Sequence, residues 1–214
     1  MKILVSSIGG VGSTSIFDFI NKYHDTNPNN FPEGKSKFKH IMNPPKEDFS
    51  KCIFIIGNVY NSIISLIDGE NIQNEPSINV THLINKGLYL PINQMKISQN
   101  EKDKIRYNEK FKLKNSFFKT KTDIYQTKTQ IQNFVNAKVK YPILIVKYEK
   151  IWDNIDLFLN FLEIDLNQKS KFPKKKNRKS DINNYKYKNE IYEIYQETQN
   201  YIDSLNDITI IDSK

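Results

Sequence analysis

Residues 8–15, Ile-Gly-Gly-Val-Gly-Ser-Thr-Ser, carry the densest chemical potential in the chain. Three of its seven glycines, Gly9, Gly10 and Gly12, fall here, and hydroxyls follow at Ser13, Thr14 and Ser15. An apolar run, Ile3-Leu4-Val5, leads in, and Ile16-Phe17-Asp18-Phe19-Ile20 leads out. A strand, a glycine turn and a hydroxyl-led helix together form the layout in which backbone N–H groups cradle a phosphate. A turn alone requires less: glycine crowding plus hydroxyls at a helix start point to an anionic ligand.

The loop is not one of the common nucleotide loops. The triphosphatase pattern G-x-x-x-x-G-K-[ST], with Gly12 as its second glycine, puts Ser7 at the first glycine and Ser13 at the lysine, so only Gly12 and Thr14 fit. The dinucleotide pattern G-x-G-x-x-G fails on spacing. The loop is therefore suited to phosphate but not to ordinary ATP or GTP hydrolysis. Ser13 and Thr14 read as hydrogen-bond donors to phosphate rather than as nucleophiles. One cysteine and three scattered histidines make no metal-ligand spacing. His24 and His82 have no chemical context and read as structural or exposed.

The elements that must hold this loop are legible from apolar runs. Residues 2–6 form a strand and about 13–23 a helix; 25–36 read as a loop. Phe38 to Met42 reads as a second strand, closed by Asn43-Pro44-Pro45. Residues 52–56 are a continuous apolar run, as in a buried parallel strand, and Asn58 caps a helix over 59–66. The stretch 80–118 is undecided by periodicity. A helix through Ile124, Ile131, Phe134 and Val135 follows, then a strand at about 142–147 and a helix at about 153–162 that Asp153 can cap. The basic segment 169–179 reads as a loop, 184–204 as a helix, and 207–211 as a short edge strand. Strands alternating with helices imply an α/β fold: a parallel sheet with helices on both faces.

Taken in order, these segments resemble the P-loop sulfotransferases, which move a sulfonate from 3′-phosphoadenosine 5′-phosphosulfate (PAPS) to a hydroxyl or amine. In that family a Pro-Lys-Ser-Gly-Thr-Thr loop holds the 5′-phosphosulfate; here its positions are Gly9-Gly10-Val11-Gly12-Ser13-Thr14. The family's second motif is an apolar strand, an Arg and, eight residues later, a Ser; here these are residues 53–56, Gly57 and Ser65. Tyr148-Glu149-Lys150 is similar to its Tyr-Glu-Asp, and Phe161-Leu162 to its Phe-Leu. Arg178-Lys179-Ser180 is similar to its Arg-Lys-Gly, which grips the 3′-phosphate. The order and approximate spacing agree across residues 3–180. The resemblance implies that Gly9 to Thr14 hold the phosphosulfate and that Ser65, Arg178 and Lys179 hold the 3′-phosphate. It also aligns His40, beside Lys39 and ahead of Pro44-Pro45, with the family's catalytic base. The stretch 69–120 corresponds to an insertion that builds the acceptor pocket, within a single domain spanning 1–214.

Two departures stand out. The loop lysine is Gly10 and the 3′-phosphate arginine is Gly57. Each would supply a charge-assisted hydrogen bond of about 1.5–3 kcal/mol. The cluster Lys174-Lys175-Lys176-Asn177-Arg178-Lys179, or Lys39, or Arg106, could replace them. A catalytically silent relative that binds a nucleotide or a partner is the alternative reading, and a degenerate nucleotide kinase or triphosphatase a further one.

The totals agree with an anion-handling globular protein. At 214 residues with 38% hydrophobic and 26% charged residues, the chain can bury a core. A net charge of +8 suits PAPS or an acidic acceptor, whereas lysines spread along the chain disfavour a nucleic-acid stripe. No apolar run reaches the roughly 18 residues of a bilayer span. Residues 1–5 read as a core strand rather than a leader. Cys52, the sole cysteine, sits in an apolar strand and reads as an inert thiol; no internal disulfide can form, which fits a cytoplasmic protein. The expected partner is a small-molecule or carbohydrate acceptor, with no metal cofactor.

Overall fold

The computed structural model describes residues 1–26, 38–46, 48–67, 82, 83, 86, 88, 119–176 and 181–214. Its centre is a five-stranded sheet. In chain order the strands are β1 (Lys2–Ser7), β2 (Asp25–Thr26), β3 (Lys51–Ile56), β4 (Ile143–Lys147) and β5 (Ile208–Ile211). In space they run β2-β1-β3-β4-β5; all pairings are parallel except the antiparallel β4–β5. The α/β class expected from the sequence is thus present, with β5 as the antiparallel exception at the edge.

The central strands need apolar side chains on both faces because helices flank the sheet. Ile3, Leu4, Val5, Cys52 to Ile56 and Ile143 to Val146 are all buried. One packed group of helices joins α2 (Val59–Ile67), α3 (Thr127–Val135) and α5 (Lys188–Ser204). Within it, Phe54 of β3 stacks on Phe134 of α3 at 3.8 Å, and Tyr60 of α2 meets Tyr192 of α5 edge-on at 4.7 Å. Another group joins α1 (Thr14–Ile20) and α4 (Ile155–Phe161) through Phe172, whose ring contacts both Phe19 and Phe158. On α5 the buried residues Ile191, Tyr195, Thr198 and Ile202 fall at spacings of three and four, so one face of the helix meets the core.

Several expectations are corrected. Residues 38–42 are not a strand: 38–40 form a turn, and the strand beside β1 is the two-residue β2. The apolar side chains that suggested a strand serve as cover instead, Phe38 packing edge-on against Phe49 at 5.9 Å. Asp153 does not cap α4; Asn154 holds the cap position, and Asp153 pairs with Lys150 at 4.0 Å. Part of the expected loop 169–179 is helical, since a 3₁₀ turn spans Leu166–Lys171. The cap at Asn58 is present: its Oδ1 accepts from the Asn61 amide at 3.0 Å.

The topology fixes where a ligand would lie. After β1 the chain moves outward to β2, then returns to the other side of β1 as β3. The connections leaving β1 and β3 therefore diverge, which opens a crevice beyond their C-terminal ends, the general ligand position in open α/β sheets. Residues 8–13 leave β1 at that crevice, Gly57 and Asn58 leave β3 there, and Tyr148 follows β4.

Candidate functional site

The glycine loop is built by close contacts that exclude side chains. Gly9, Gly10 and Gly12 all have positive φ, at 93°, 62° and 80°. At Gly10 an added Cβ would lie 2.3 Å from the Ser62 carbonyl oxygen of α2. At Gly9 it would lie 2.5 Å from His82 Nδ1. The glycine at the expected lysine position is thus a packing requirement: no lysine fits between loop and helix. Val11 is fully buried, Gly12 is exposed beside Tyr148, and no side chain caps the first turn of α1.

The turn after β3 contrasts with this. Its amides are closed by the protein itself: Asn58 N–H donates to Glu149 Oε1 at 3.2 Å and Val59 N–H to Gln199 Oε1 at 2.9 Å. Of the two turns at the crevice, only the glycine loop lacks a side-chain cap of its own.

Lys39 reaches the loop. Its carbonyl accepts from Ser7 N–H at 2.9 Å and Ser6 Oγ at 3.1 Å, which anchors residues 38–42 beside the end of β1. From there Lys39 Nζ donates to Thr14 Oγ1 at 3.1 Å. Partial burial lowers the ammonium's pKa, and Asp18 opposes that shift. Thr14 is exposed, so this ammonium sits at the open side of the loop.

His40 lies behind the loop, 8% exposed. Its Nδ1 is 3.1 Å from the Ser7 carbonyl and 3.2 Å from Ser7 Oγ. A carbonyl oxygen only accepts, so Nδ1 carries the hydrogen and Nε2 holds the lone pair. Ser7 Oγ also meets Ser13 Oγ at 3.2 Å, so the Ser13 hydroxyl faces inward. Of the two hydroxyls read as phosphate donors, only Thr14 faces outward. Burial, then repulsion from His82, Lys39 and Lys86, holds the His40 pKa well below 6.5 despite the Ser7 bond, which keeps the ring neutral at neutral pH.

Two residues with no expected site role, His82 (read as structural or exposed) and Lys86, complete the surroundings. The His82 ring stacks on His40 with centroids 4.0 Å apart and rests against Gly9. Burial and the charges of Lys86 and Lys39 lower its pKa to about 3. Lys86, 5% exposed, donates from Nζ to the Tyr125 carbonyl at 2.7 Å. Burial brings it down to about 7 although Asp123 opposes the shift. Nothing in the sequence marked His82 as resting against Gly9, or Lys86 as reaching the Tyr125 carbonyl.

Ser65 is half-buried on α2, and its Oγ donates to the Asn61 carbonyl at 3.1 Å. Arg178 and Lys179 lie outside the described residues, as does most of 69–120 with Arg106. Ile182, shortly after Lys179, is anchored to the same helix: its N–H donates to Asn61 Oδ1 at 3.1 Å, one turn before Ser65. Lys175 Nζ donates to the Glu149 carbonyl at 2.8 Å and lies 5.7 Å from the Trp152 ring centre, so part of the basic segment folds over the turn after β4. Cys52 is fully buried in β3, and burial pushes its thiol pKa well up. Among the described residues no helix is long and apolar enough to cross a membrane.

Together these features define an α/β protein with a three-glycine loop at its topological crevice and a cation at the loop's open side. No protein-family model matches the chain, and searches of curated proteins and of solved structures find no match.

Proposed function

We propose that the chain is a PAPS-dependent sulfotransferase-like protein acting on a hydroxyl or amine of a small molecule or carbohydrate. The observation that carries this reading is the Lys39 ammonium 3.1 Å from Thr14 Oγ1. It supplies a cation to a loop whose own lysine position must stay glycine, because Gly10 touches the Ser62 carbonyl. In this reading the backbone from Gly9 to Thr14, the Thr14 hydroxyl and Lys39 hold the 5′-phosphosulfate. Ser65, with Arg178 and Lys179, holds the 3′-phosphate.

For a hydroxyl acceptor, the oxygen attacks the sulfonate sulfur. The bond from sulfur to the bridging oxygen breaks, and 3′-phosphoadenosine 5′-phosphate leaves with negative charge that the loop and Lys39 stabilise. His40 Nε2, with its lone pair fixed by the Nδ1–H bond to Ser7, takes the acceptor proton.

A second reading is binding of the nucleotide without transfer. It is favoured by the enclosure of His40 between Ser7 and His82, which leaves the ring 8% exposed.

The first test is thermal stability with 3′-phosphoadenosine 5′-phosphate, with ATP and GTP as controls. At about 100 times its dissociation constant a ligand adds about 2.7 kcal/mol of stability. A shift specific to the 3′-phosphorylated nucleotide is expected, and Lys39→Met should weaken binding about tenfold or more, the scale of one charge-assisted hydrogen bond. No shift in the unaltered protein would sink the nucleotide reading. A sulfonate-transfer assay on the same protein, with His40→Ala beside it, separates the enzyme from the silent binder.

A further inference from the structure

The segment that carries His40 is fastened to the end of β1 by a side chain that the reaction as described leaves unused. Gln130 of α3 is fully buried. Its Nε2 donates to the Ile41 carbonyl at 2.7 Å and to the Ser7 carbonyl at 3.3 Å. Both partners only accept, so the amide nitrogen must face them. Its Oε1 makes no hydrogen bond among the described residues. The amide is thus placed for its nitrogen, with a buried oxygen left unsatisfied, a cost that the two bonds of the nitrogen must offset.

Ser7 and Ile41 are the backbone points that govern the His40 ring. Ser7 ends β1, and its carbonyl also accepts from His40 Nδ1 at 3.1 Å. Two donors, one from the ring and one from Gln130, therefore fill its two lone pairs and fix its direction. On the other segment, the Lys39 carbonyl accepts from the Ser7 amide at 2.9 Å, and the Ile41 carbonyl accepts from Gln130. His40 is thus held on both sides, by β1 before it and by α3 after it. The helix is a firm base: Phe134 stacks on Phe54 of β3 at 3.8 Å, and the Thr127 amide donates to Asp123 at 2.7 Å. Three residues beyond Gln130, Asn133 Nδ2 donates to the Met42 carbonyl at 3.3 Å, one residue further from the ring.

We propose that Gln130 is a positioning residue of this site: by tying the Ser7 and Ile41 carbonyls to α3, it holds the His40 ring with Nδ1–H toward Ser7 and so keeps the lone pair on Nε2. This rests on the reading of the site as one for sulfonate transfer, with His40 as its base. The cause is preorganisation. A histidine offers a base at Nε2 only in the tautomer that carries its hydrogen on Nδ1, and a fixed acceptor at Nδ1 selects that tautomer. Ser7 is that acceptor, and Gln130 fixes both it and the residue that follows His40. Without the amide, the Ile41 carbonyl loses its 2.7 Å partner and the Ser7 carbonyl its second donor. The ring then keeps its neighbours but loses the support that sets its angle to them.

The test compares Gln130→Met, which keeps the side chain's length and removes the amide, with Asn133→Leu as a control on the same helix. Nitrogen-15 NMR of the histidine rings reads the His40 tautomer with no ligand present. The unaltered protein and Asn133→Leu should both show His40 as the Nδ1–H form. In Gln130→Met the ratio of that form to the Nε2–H form should fall about fivefold, the weight of one neutral hydrogen bond. An unchanged ratio in Gln130→Met, or an equal fall in Asn133→Leu, overturns the proposal. The expected tautomer shift in a protein that does not bind 3′-phosphoadenosine 5′-phosphate overturns the sulfotransferase reading alone and leaves the hold on His40 standing. Should Gln130→Met fail to fold, the unaltered protein decides. His40 as Nδ1–H, with the Gln130 side-chain amide hydrogens slow to exchange with water, supports the proposal; His40 as Nε2–H, or exchange at the rate of an exposed glutamine, rejects it.

Discussion

Gly10 and Lys39 are best understood together. The loop can approach α2 closely only because Gly10 has no side chain, and that approach removes the position from which a loop lysine would act. Lys39 reaches the same loop from a neighbouring segment whose backbone is tied to Ser6 and Ser7. Gly10→Ala should therefore be costly for two reasons: a positive φ of 62° and a Cβ 2.3 Å from the Ser62 carbonyl. Left-handed backbone alone costs an L-residue roughly 1–2 kcal/mol. Displacing α2 adds to that, so urea denaturation should show a loss of about 2 kcal/mol or more. A variant as stable as the parent would mean that the loop and α2 are not in contact. Lysine at this position should likewise fail to restore a conventional loop.

At the scale of elements, α2 illustrates how local chemistry sets a boundary. Asn58 accepts from the Asn61 amide, Glu149 accepts from Asn58 and Gln199 from Val59, so three side chains from different parts of the chain close one helix start. Asn58→Ala should lower stability by about 1 kcal/mol in a denaturant titration while leaving nucleotide-induced shifts unchanged. This cap was legible in the sequence because it is local: Asn stands directly before an apolar helix. β1, β3 and β4 were legible for a similar reason, since strands covered on both faces read as unbroken apolar runs. β2 was not, because two residues, Asp25 and Thr26, leave no periodicity to detect. Phe38 to Met42 misled because apolar side chains that cover a core edge look the same in sequence as those of a strand. Within the site, the glycine loop and His40 were visible, whereas His82, Lys86 and Asp123 were not. Their surroundings arise from distant chain segments that meet, His82 at Gly9 and Lys86 and Asp123 around Tyr125, and nothing in their local spacing records that meeting.

Across the whole molecule, the buried basic row makes stability depend on pH in a defined direction. His82 titrates at about 3 when folded against 6.5 ordinarily, so between those values the unfolded chain holds a proton that the folded chain lacks. Stability should fall as pH drops through that window, by up to about 1.4 kcal/mol per pH unit for each such group. His40 acts with the same sign. Asp123, whose carboxyl pKa burial raises, opposes the trend just above 3.8. Urea midpoints measured from pH 6.5 to 4.5 should therefore decline, and His82→Gln should flatten the decline by about one proton's worth. An unchanged slope in that variant would place the acid sensitivity elsewhere.

The sheet order has a consequence for how the molecule comes into being. Among the described strands, the one antiparallel member, β5, comes last in sequence and lies at an edge. β1, β3 and β4 bond to one another without it. A chain emerging from the ribosome amino end first can lay down this parallel centre once Lys147 is free, with α5 and β5 still unmade. The glycine loop and its Lys39 and Ser62 contacts belong to the earliest part of that sequence. α5 and β5, later in sequence, clasp that centre, fastened at β4 and, through Tyr195 and Asp123, at the segment before α3.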